Sequence, residues 1–134
     1  MAAWQLALTF TGLSVAAAAV ADARVDYMLH CQGCHLPELE GSPGIVPGLR
    51  GDVGRIAGVP GGREYLVRVP GASQSPLSDA ALAGVLNWIM ENYNADTRPP
   101  DFMPFTTDEV ARWRGNALRN PEATREEIFA PGRY

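Results

Sequence analysis

The sequence contains no lysine, and cysteine and histidine occur only twice each. All eleven basic residues are therefore arginine, and fifteen acidic residues leave a net charge of −4 at pH 7. This balance argues against a nucleic-acid partner, because nucleic-acid binding needs an excess of positive charge on the protein. With 134 residues the chain is long enough for one domain with a modest hydrophobic core.

The scarce cysteines and histidines are concentrated in one short run of the chain. Cys31 and Cys34 are separated by two residues, and His35 follows the second cysteine directly. This Cys-x-x-Cys-His pattern is typical of covalent attachment of a c-type haem. On a helical turn, residues three apart face the same way, so both thiols can reach one porphyrin. The pattern also predicts that His35 is an axial ligand of the iron.

Three other uses of these residues compete with haem attachment. A structural zinc ion needs four ligands that converge tetrahedrally, and the run from His30 to His35 is too short to wrap one ion. A thioredoxin-like redox pair belongs in a βαβ context, which the flanking sequence lacks. A local disulfide between Cys31 and Cys34 stays open as an alternative.

The N-terminus is apolar and resembles a targeting segment. Residues 6–20 are almost all apolar or small, and this stretch is too short to cross a bilayer comfortably. Small residues at positions 19, 21 and 23 match the small-x-small pattern of signal-peptide cleavage. We therefore predict that residues 1–23 are a secretory signal, and that the mature protein is periplasmic without a membrane span. A retained anchor is the alternative, because residues 1–5 carry no basic side chain.

The rest of the chain is predicted to form helices joined by long loops. A first helix is expected over 24–34, and the most regular one over 79–92, where Ser78 is the expected N-cap. Residues 36–62 are rich in glycine and proline and predict a long loop. Residues 63–69 fit a helix or a strand. A further helix is expected after a cap at Thr107, and 122–129 predicts at most a last turn.

With this order of elements, residues 24–93 resemble a class I cytochrome c. The resemblance rests on the haem motif, on Pro47-Gly48-Leu49 in the following loop and on Leu86-Asn87-Trp88-Ile89 in the later helix. It implies a small all-α domain wrapped around one covalently bound haem c, with long Gly/Pro loops. Residues 94–134 would then be a C-terminal segment.

The resemblance also assigns roles to individual residues. It implies that the Pro47 carbonyl accepts a hydrogen bond from the other ring nitrogen of His35, which would orient the imidazole. Leu49 would pack on the haem. Tyr27 and Trp88 would form the aromatic contact where the first and last helices of the domain cross.

The sequence departs from the family at the sixth ligand of the iron. In the family a methionine precedes the last helix, whereas residues 71–76 contain none. Met103, followed by Pro104 in an irregular segment ahead of a capped helix, is the predicted distal ligand. Met90 and an open or otherwise ligated iron are the alternatives. If Met103 binds the iron, the C-terminal segment returns over the distal face; otherwise it serves for docking or for covering the fold.

No second constellation of the sequence resembles a catalytic site, so no enzyme activity is predicted. A haem with histidine and methionine ligands is suited to one-electron transfer. The resemblance implies a carrier that takes electrons from a dehydrogenase or membrane complex and passes them to an oxidase or reductase. Two alternatives stay open: a gas sensor with an open or weak sixth position, and a cytochrome subunit of a periplasmic dehydrogenase.

Overall fold

The structure is a computed structural model that describes residues 15–129, with side chains from Ala23 onward. The predicted signal segment 1–23 therefore lies largely outside the described residues. The described residues form eight helices and no strand, which confirms the predicted all-α fold. In chain order the helices are α1 (Val15–His30), α2 (Gln32–His35), α3 (Asp52–Ala57), α4 (Gly62–Arg68), α5 (Pro70–Ser73), α6 (Asp79–Tyr93), α7 (Thr107–Arg114) and α8 (Pro121–Ile128).

Helix α6 follows the prediction within one residue. The Ser78 hydroxyl caps it by accepting a hydrogen bond from the Ala81 backbone N–H at 3.1 Å, which satisfies one of the unpaired donors of the first turn. The apolar residues at helical spacing are all buried in the core: Leu82, Val85, Leu86 and Ile89. The strong cap and the regular apolar stripe agree, so the helix could be predicted from local sequence.

Other elements differ from the sequence prediction or refine it. The helix expected over 24–34 is interrupted, because α1 ends at His30 and α2 begins at Gln32. The Gly/Pro-rich stretch is not entirely loop, because it contains α3. The run 63–69, which fitted a helix or a strand, is helical up to Arg68 in α4. The cap of α7 is Thr106 rather than Thr107, since only Thr106 stands three residues before Glu109 and completes a capping box with it. The final turn expected over 122–129 is a helix, α8.

The core is built where α1 crosses α6. Tyr27 of α1 is 1% exposed, and its ring centroid lies 5.3 Å from that of Trp88 on α6. The C-terminal helices complete this core, because α7 packs on α6 and α4, and α8 packs on α4. Val110 of α7 is fully buried and Ile128 of α8 is buried as well. No helix along the described part of the chain combines the length and apolar character needed to cross a membrane.

Asn94, directly after α6, joins three parts of the fold. Its buried side-chain carbonyl accepts a hydrogen bond from the Gly54 N–H at 2.9 Å, and its amide donates to the carbonyls of Leu49 and Ile89. Position 54 requires glycine, because a Cβ there would collide with Thr97. This close approach holds α3 and the loop before it against the end of α6.

Candidate haem site

The Cys-x-x-Cys-His run forms a single tight turn after α1. The backbone N–H groups of Cys34 and His35 both donate to the carbonyl of Cys31, at 3.2 and 3.0 Å. No disulfide joins the two cysteines. Burial raises the pKa of the Cys31 thiol to about 11, whereas redox-active dithiols depend on a lowered thiol pKa. The turn therefore presents the thiols of Cys31 and Cys34 beside the imidazole.

His35 is held by the loop that follows it. Its Nδ1 lies 3.0 Å from the carbonyl oxygen of Pro47. With a proton on Nδ1 the ring donates to this carbonyl and keeps Nε2 free to bind a metal. Burial lowers the pKa of His35, and the hydrogen bond to Pro47 opposes this shift. The imidazole is thus kept in the neutral form that metal coordination requires.

The chain turns sharply immediately after His35. Leu36 adopts a φ of 64°, in the left-handed region that a leucine rarely occupies. The Tyr27 hydroxyl donates a hydrogen bond to the Leu36 carbonyl at 2.6 Å. Tyr27 thereby links the core to the haem motif, because its ring packs on Trp88 while its hydroxyl fixes the turn.

Both cysteines and His35 line one cavity of about 310 Å³. Pro47 and Leu49 line it too. The structure therefore brings together five of the six residues that were predicted to contact the haem or bind its iron. The walls are mainly apolar side chains of α3, α4 and α6: Val53, Ile56, Leu66, Leu82, Val85, Leu86 and Ile89. An apolar cavity with two thiols and one neutral imidazole fits a tetrapyrrole held by two thioethers and one axial nitrogen. When bound, such a haem would supply a one-electron couple.

The sixth residue, Met103, does not line this cavity. Its side chain is 72% exposed and lies at a separate recess formed with Arg63 and Phe102. Met90 is fully buried in the core, and Met28 is half exposed on α1. None of the methionines in the described part of the chain lines the cavity. Met103 as distal ligand therefore stays a prediction from the sequence alone.

The loop that lacks the expected methionine is fixed by α7. Arg114 donates hydrogen bonds to the carbonyls of Leu77 at 2.6 Å and Ser75 at 2.9 Å, and forms an ion pair with Asp79 at 2.9 Å. Ser75 lines the cavity beside residues of α5. The C-terminal segment therefore shapes a wall of the site, a role that the local sequence around Arg114 did not indicate.

Two further cavity residues were missed by the sequence reasoning. Tyr65 stands in the run that fitted either a helix or a strand, and Arg125 stands in a charged stretch with no marked pattern. Both line the cavity, Tyr65 from α4 and Arg125 from α8. If residues 63–69 had been predicted as a helix, Tyr65 would have been expected beside the buried Leu66. No local signal in the sequence identifies Arg125.

An all-α domain whose apolar cavity is bordered by this motif defines a c-type haem-binding domain. Comparison with known proteins agrees. The chain is 32% identical over 106 residues to cytochrome c-552 of Thermus thermophilus, covering 66% of this chain and 81% of that protein. It is also 32% identical over 106 residues to cytochrome c-552 of Thermus thermophilus strain ATCC 27634, of which it covers 72%. No family model matches the chain.

The chain therefore belongs to the class I c-type cytochromes. Proteins of this family bind haem c covalently and carry electrons between redox partners. The chain is accordingly an electron-carrier cytochrome.

Proposed function

We propose that this protein is a periplasmic monohaem cytochrome c that carries single electrons from a dehydrogenase or membrane complex to a terminal acceptor. Cys31 and Cys34 form the two thioethers, His35 is the proximal ligand, Pro47 orients His35, and Leu49 packs on the haem. The single observation that carries this proposal is the shared cavity. Both thiols line it together with His35, whose Nδ1 lies 3.0 Å from the carbonyl oxygen of Pro47. Residues 1–23 direct export and are then removed.

Haem attachment is tested by single substitutions in the motif, with co-expressed haem-attachment machinery. Cys31→Ala or Cys34→Ala should leave one thioether or none, as measured by haem staining after denaturing electrophoresis and by intact mass. His30→Ala is the matched control, because this exposed histidine flanks the motif on its other side. It should keep full covalent haem. Full covalent haem in both cysteine variants would refute the proposal.

The identity of the distal ligand is tested separately. If Met103 binds the iron, Met103→Ala should lower the reduction potential and abolish the weak red absorption band of sulfur–iron coordination. Met28→Ala, at another exposed methionine, is the control. An unchanged spectrum in Met103→Ala would assign the ligand elsewhere.

A second candidate function is favoured by the cavity itself. No described methionine lines it, and a sixth position that is open or weakly filled would let the protein bind a small ligand such as a gas. Rapid carbon monoxide binding by the reduced protein, without the sulfur–iron band in the oxidised protein, supports this function. A sulfur–iron band with slow carbon monoxide binding excludes it.

A further inference from the structure

One wall of the haem cavity is a short segment, residues 69–77, which lies between α4 and α6 and contains α5. We call it the wall segment. Val69, Ala72 and Ser75 of this segment line the cavity, and Leu77 at its end is buried in the core. The segment contains no methionine that could tie it to the iron. Protein contacts alone must therefore hold it in place.

Hydrogen bonds within the wall segment are local. The backbone N–H groups of Ala72 and Ser73 donate to the Val69 carbonyl at 3.0 and 2.9 Å. The N–H and the hydroxyl of Ser75 both donate to the Ala72 carbonyl, at 3.2 and 2.8 Å. A helix as short as the four-residue α5 is marginal without contacts from elsewhere in the fold. These local bonds shape the segment, but they do not fix its position against the cavity.

Arg114, at the end of α7, supplies hydrogen bonds from a distant part of the chain. Its guanidinium donates to the carbonyls of Leu77 at 2.6 Å, Ser75 at 2.9 Å and Ser73 at 3.4 Å. It also pairs with Asp79 at 2.9 Å, in the first turn of α6. The Arg114 side chain is only 16% exposed, and hydrogen bonds from a charged donor are the stronger ones. Arg114 therefore ties the wall segment to α7 and to the start of α6.

We propose that Arg114 is a positioning residue that holds the wall segment closed and thereby limits the entry of small ligands into the haem cavity. The proposal rests on the proposed haem site. A guanidinium suits this task, because its N–H groups lie in one plane and can bind several carbonyls at once. Arg114 does not itself line the cavity, so it acts through the wall segment. No covalent bond forms or breaks.

The test compares haem-loaded variants of two partly buried arginines. Arg114→Gln removes the charge and most of the donors, whereas Arg114→Lys keeps the charge without the planar fork. Arg68→Gln is the matched control. The Arg68 side chain is 23% exposed and also binds the C-terminal segment, through the Asn116 carbonyl at 2.7 Å, but its other bond is to Glu64.

Covalent haem is quantified first in every variant. Three properties of the loaded proteins are then measured: the amide hydrogen exchange of residues 72–75, the rate of carbon monoxide association with the reduced protein, and the midpoint of urea unfolding. Exchange reports opening of the wall segment, and carbon monoxide reports entry into the cavity. The urea midpoint reports any general loss of stability, which a merely structural role of Arg114 would also produce.

Arg114→Gln should speed both the exchange of these amides and the association of carbon monoxide by about tenfold, because the loss of charge-assisted hydrogen bonds raises the population of the open segment. Arg114→Lys should give a smaller increase. Arg68→Gln should leave both rates unchanged, even if it lowers the urea midpoint by the same amount. Carbon monoxide has to enter the cavity whether the sixth position is open or carries a displaceable ligand, so the expectation holds in both cases.

Carbon monoxide association that is unchanged or absent in fully loaded Arg114→Gln would overturn the proposal. Equal increases in Arg68→Gln would overturn it too, because they would come from a general loosening of the C-terminal segment. If Arg114→Gln does not fold, the contrast between Arg114→Lys and Arg68→Gln decides in the same way. A wild-type chain without covalent haem overturns the proposed function, and this proposal with it, so the haem content distinguishes the two failures.

Discussion

Replacing Asn94 by alanine should destabilise the protein more than any other asparagine substitution near the site. Its side chain is 1% exposed and makes hydrogen bonds of 2.9, 3.2 and 3.1 Å to Gly54, Leu49 and Ile89. Each such bond contributes about 1 kcal/mol, and a buried donor left unpaired costs about 1–3 kcal/mol. Alanine removes all three bonds and leaves the buried Gly54 N–H without its acceptor. We expect the free energy of unfolding to fall by about 3–4 kcal/mol.

The measurement is urea unfolding of the haem-loaded oxidised protein, followed by circular dichroism. Asn92→Ala is the matched control, because the exposed Asn92 makes a single side-chain hydrogen bond, to the Trp88 carbonyl at 2.8 Å. This substitution should lower the free energy of unfolding by less than about 1 kcal/mol. Equal losses in the two variants would refute the reasoning that Asn94 couples α3, α6 and the loop that carries Leu49.

Three further changes test the packing around the site. Arg63→Ala should cost about 2–3 kcal/mol in urea unfolding, because both oxygens of the partly buried Glu109 bind this guanidinium at 2.9 and 2.8 Å; Arg55→Ala, which breaks an exposed pair, should cost under about 1 kcal/mol. The hydrogen bond from Arg63 lowers the pKa of Glu109, although burial opposes this. The pair's contribution is therefore complete above the unfolded carboxyl pKa of about 4.3 and is lost as the pH falls through the lower folded pKa. Acid unfolding should show the wild type converging on Glu109→Gln only below that range, and a constant difference would contradict the assignment. Gly62→Ala should prevent folding or cost more than about 3 kcal/mol, since its Cβ would collide with a backbone carbonyl of α3. Gly115→Ala has free space outside the haem cavity and should be nearly neutral in thermal unfolding.

The parts of the fold that could be predicted are those in which local signals agree. The cap at Ser78 and the apolar stripe of α6 define that helix without any tertiary information. The position of Tyr27 against Trp88 could be predicted only through the family resemblance. The haem motif likewise carries its chemistry within five consecutive residues.

Helix α3 could not be predicted, because its stability comes from contacts distant in sequence. Glycine lowers helix propensity, and Gly54 stands in the middle of this short helix. The same glycine permits the close approach to Thr97, and the buried Val53 and Ile56 hold the helix in the core. Tertiary packing thus overrides a local pattern that is typical of a loop.

The surroundings of Met103 also depend on a distant residue. Methionine before proline in an irregular segment is the pattern by which the family presents its thioether. Here Arg63 donates to the Met103 carbonyl at 2.8 Å and lies 4.1 Å from the ring centroid of Phe105, so the segment is held at α4. The pattern specifies an irregular segment but not the surface on which it packs.

The C-terminal segment acts as one wall of the haem cavity rather than as an appendage. Three partly buried ion pairs join it to residues before position 94, and each spans at least 35 residues of sequence: Arg63–Glu109, Arg114–Asp79 and Arg125–Asp52. Two of these pairs lie near the site, because Arg114 fixes the loop that lacks a methionine and Arg125 lines the cavity. The third pair, Arg63–Glu109, borders the separate recess at Met103. The buried Phe105, Val110 and Ile128 add apolar contacts to the same core. From α8, Pro121 and Arg125 line the cavity. The chemistry on that side of the cavity therefore depends on the segment that could be predicted least well from local sequence.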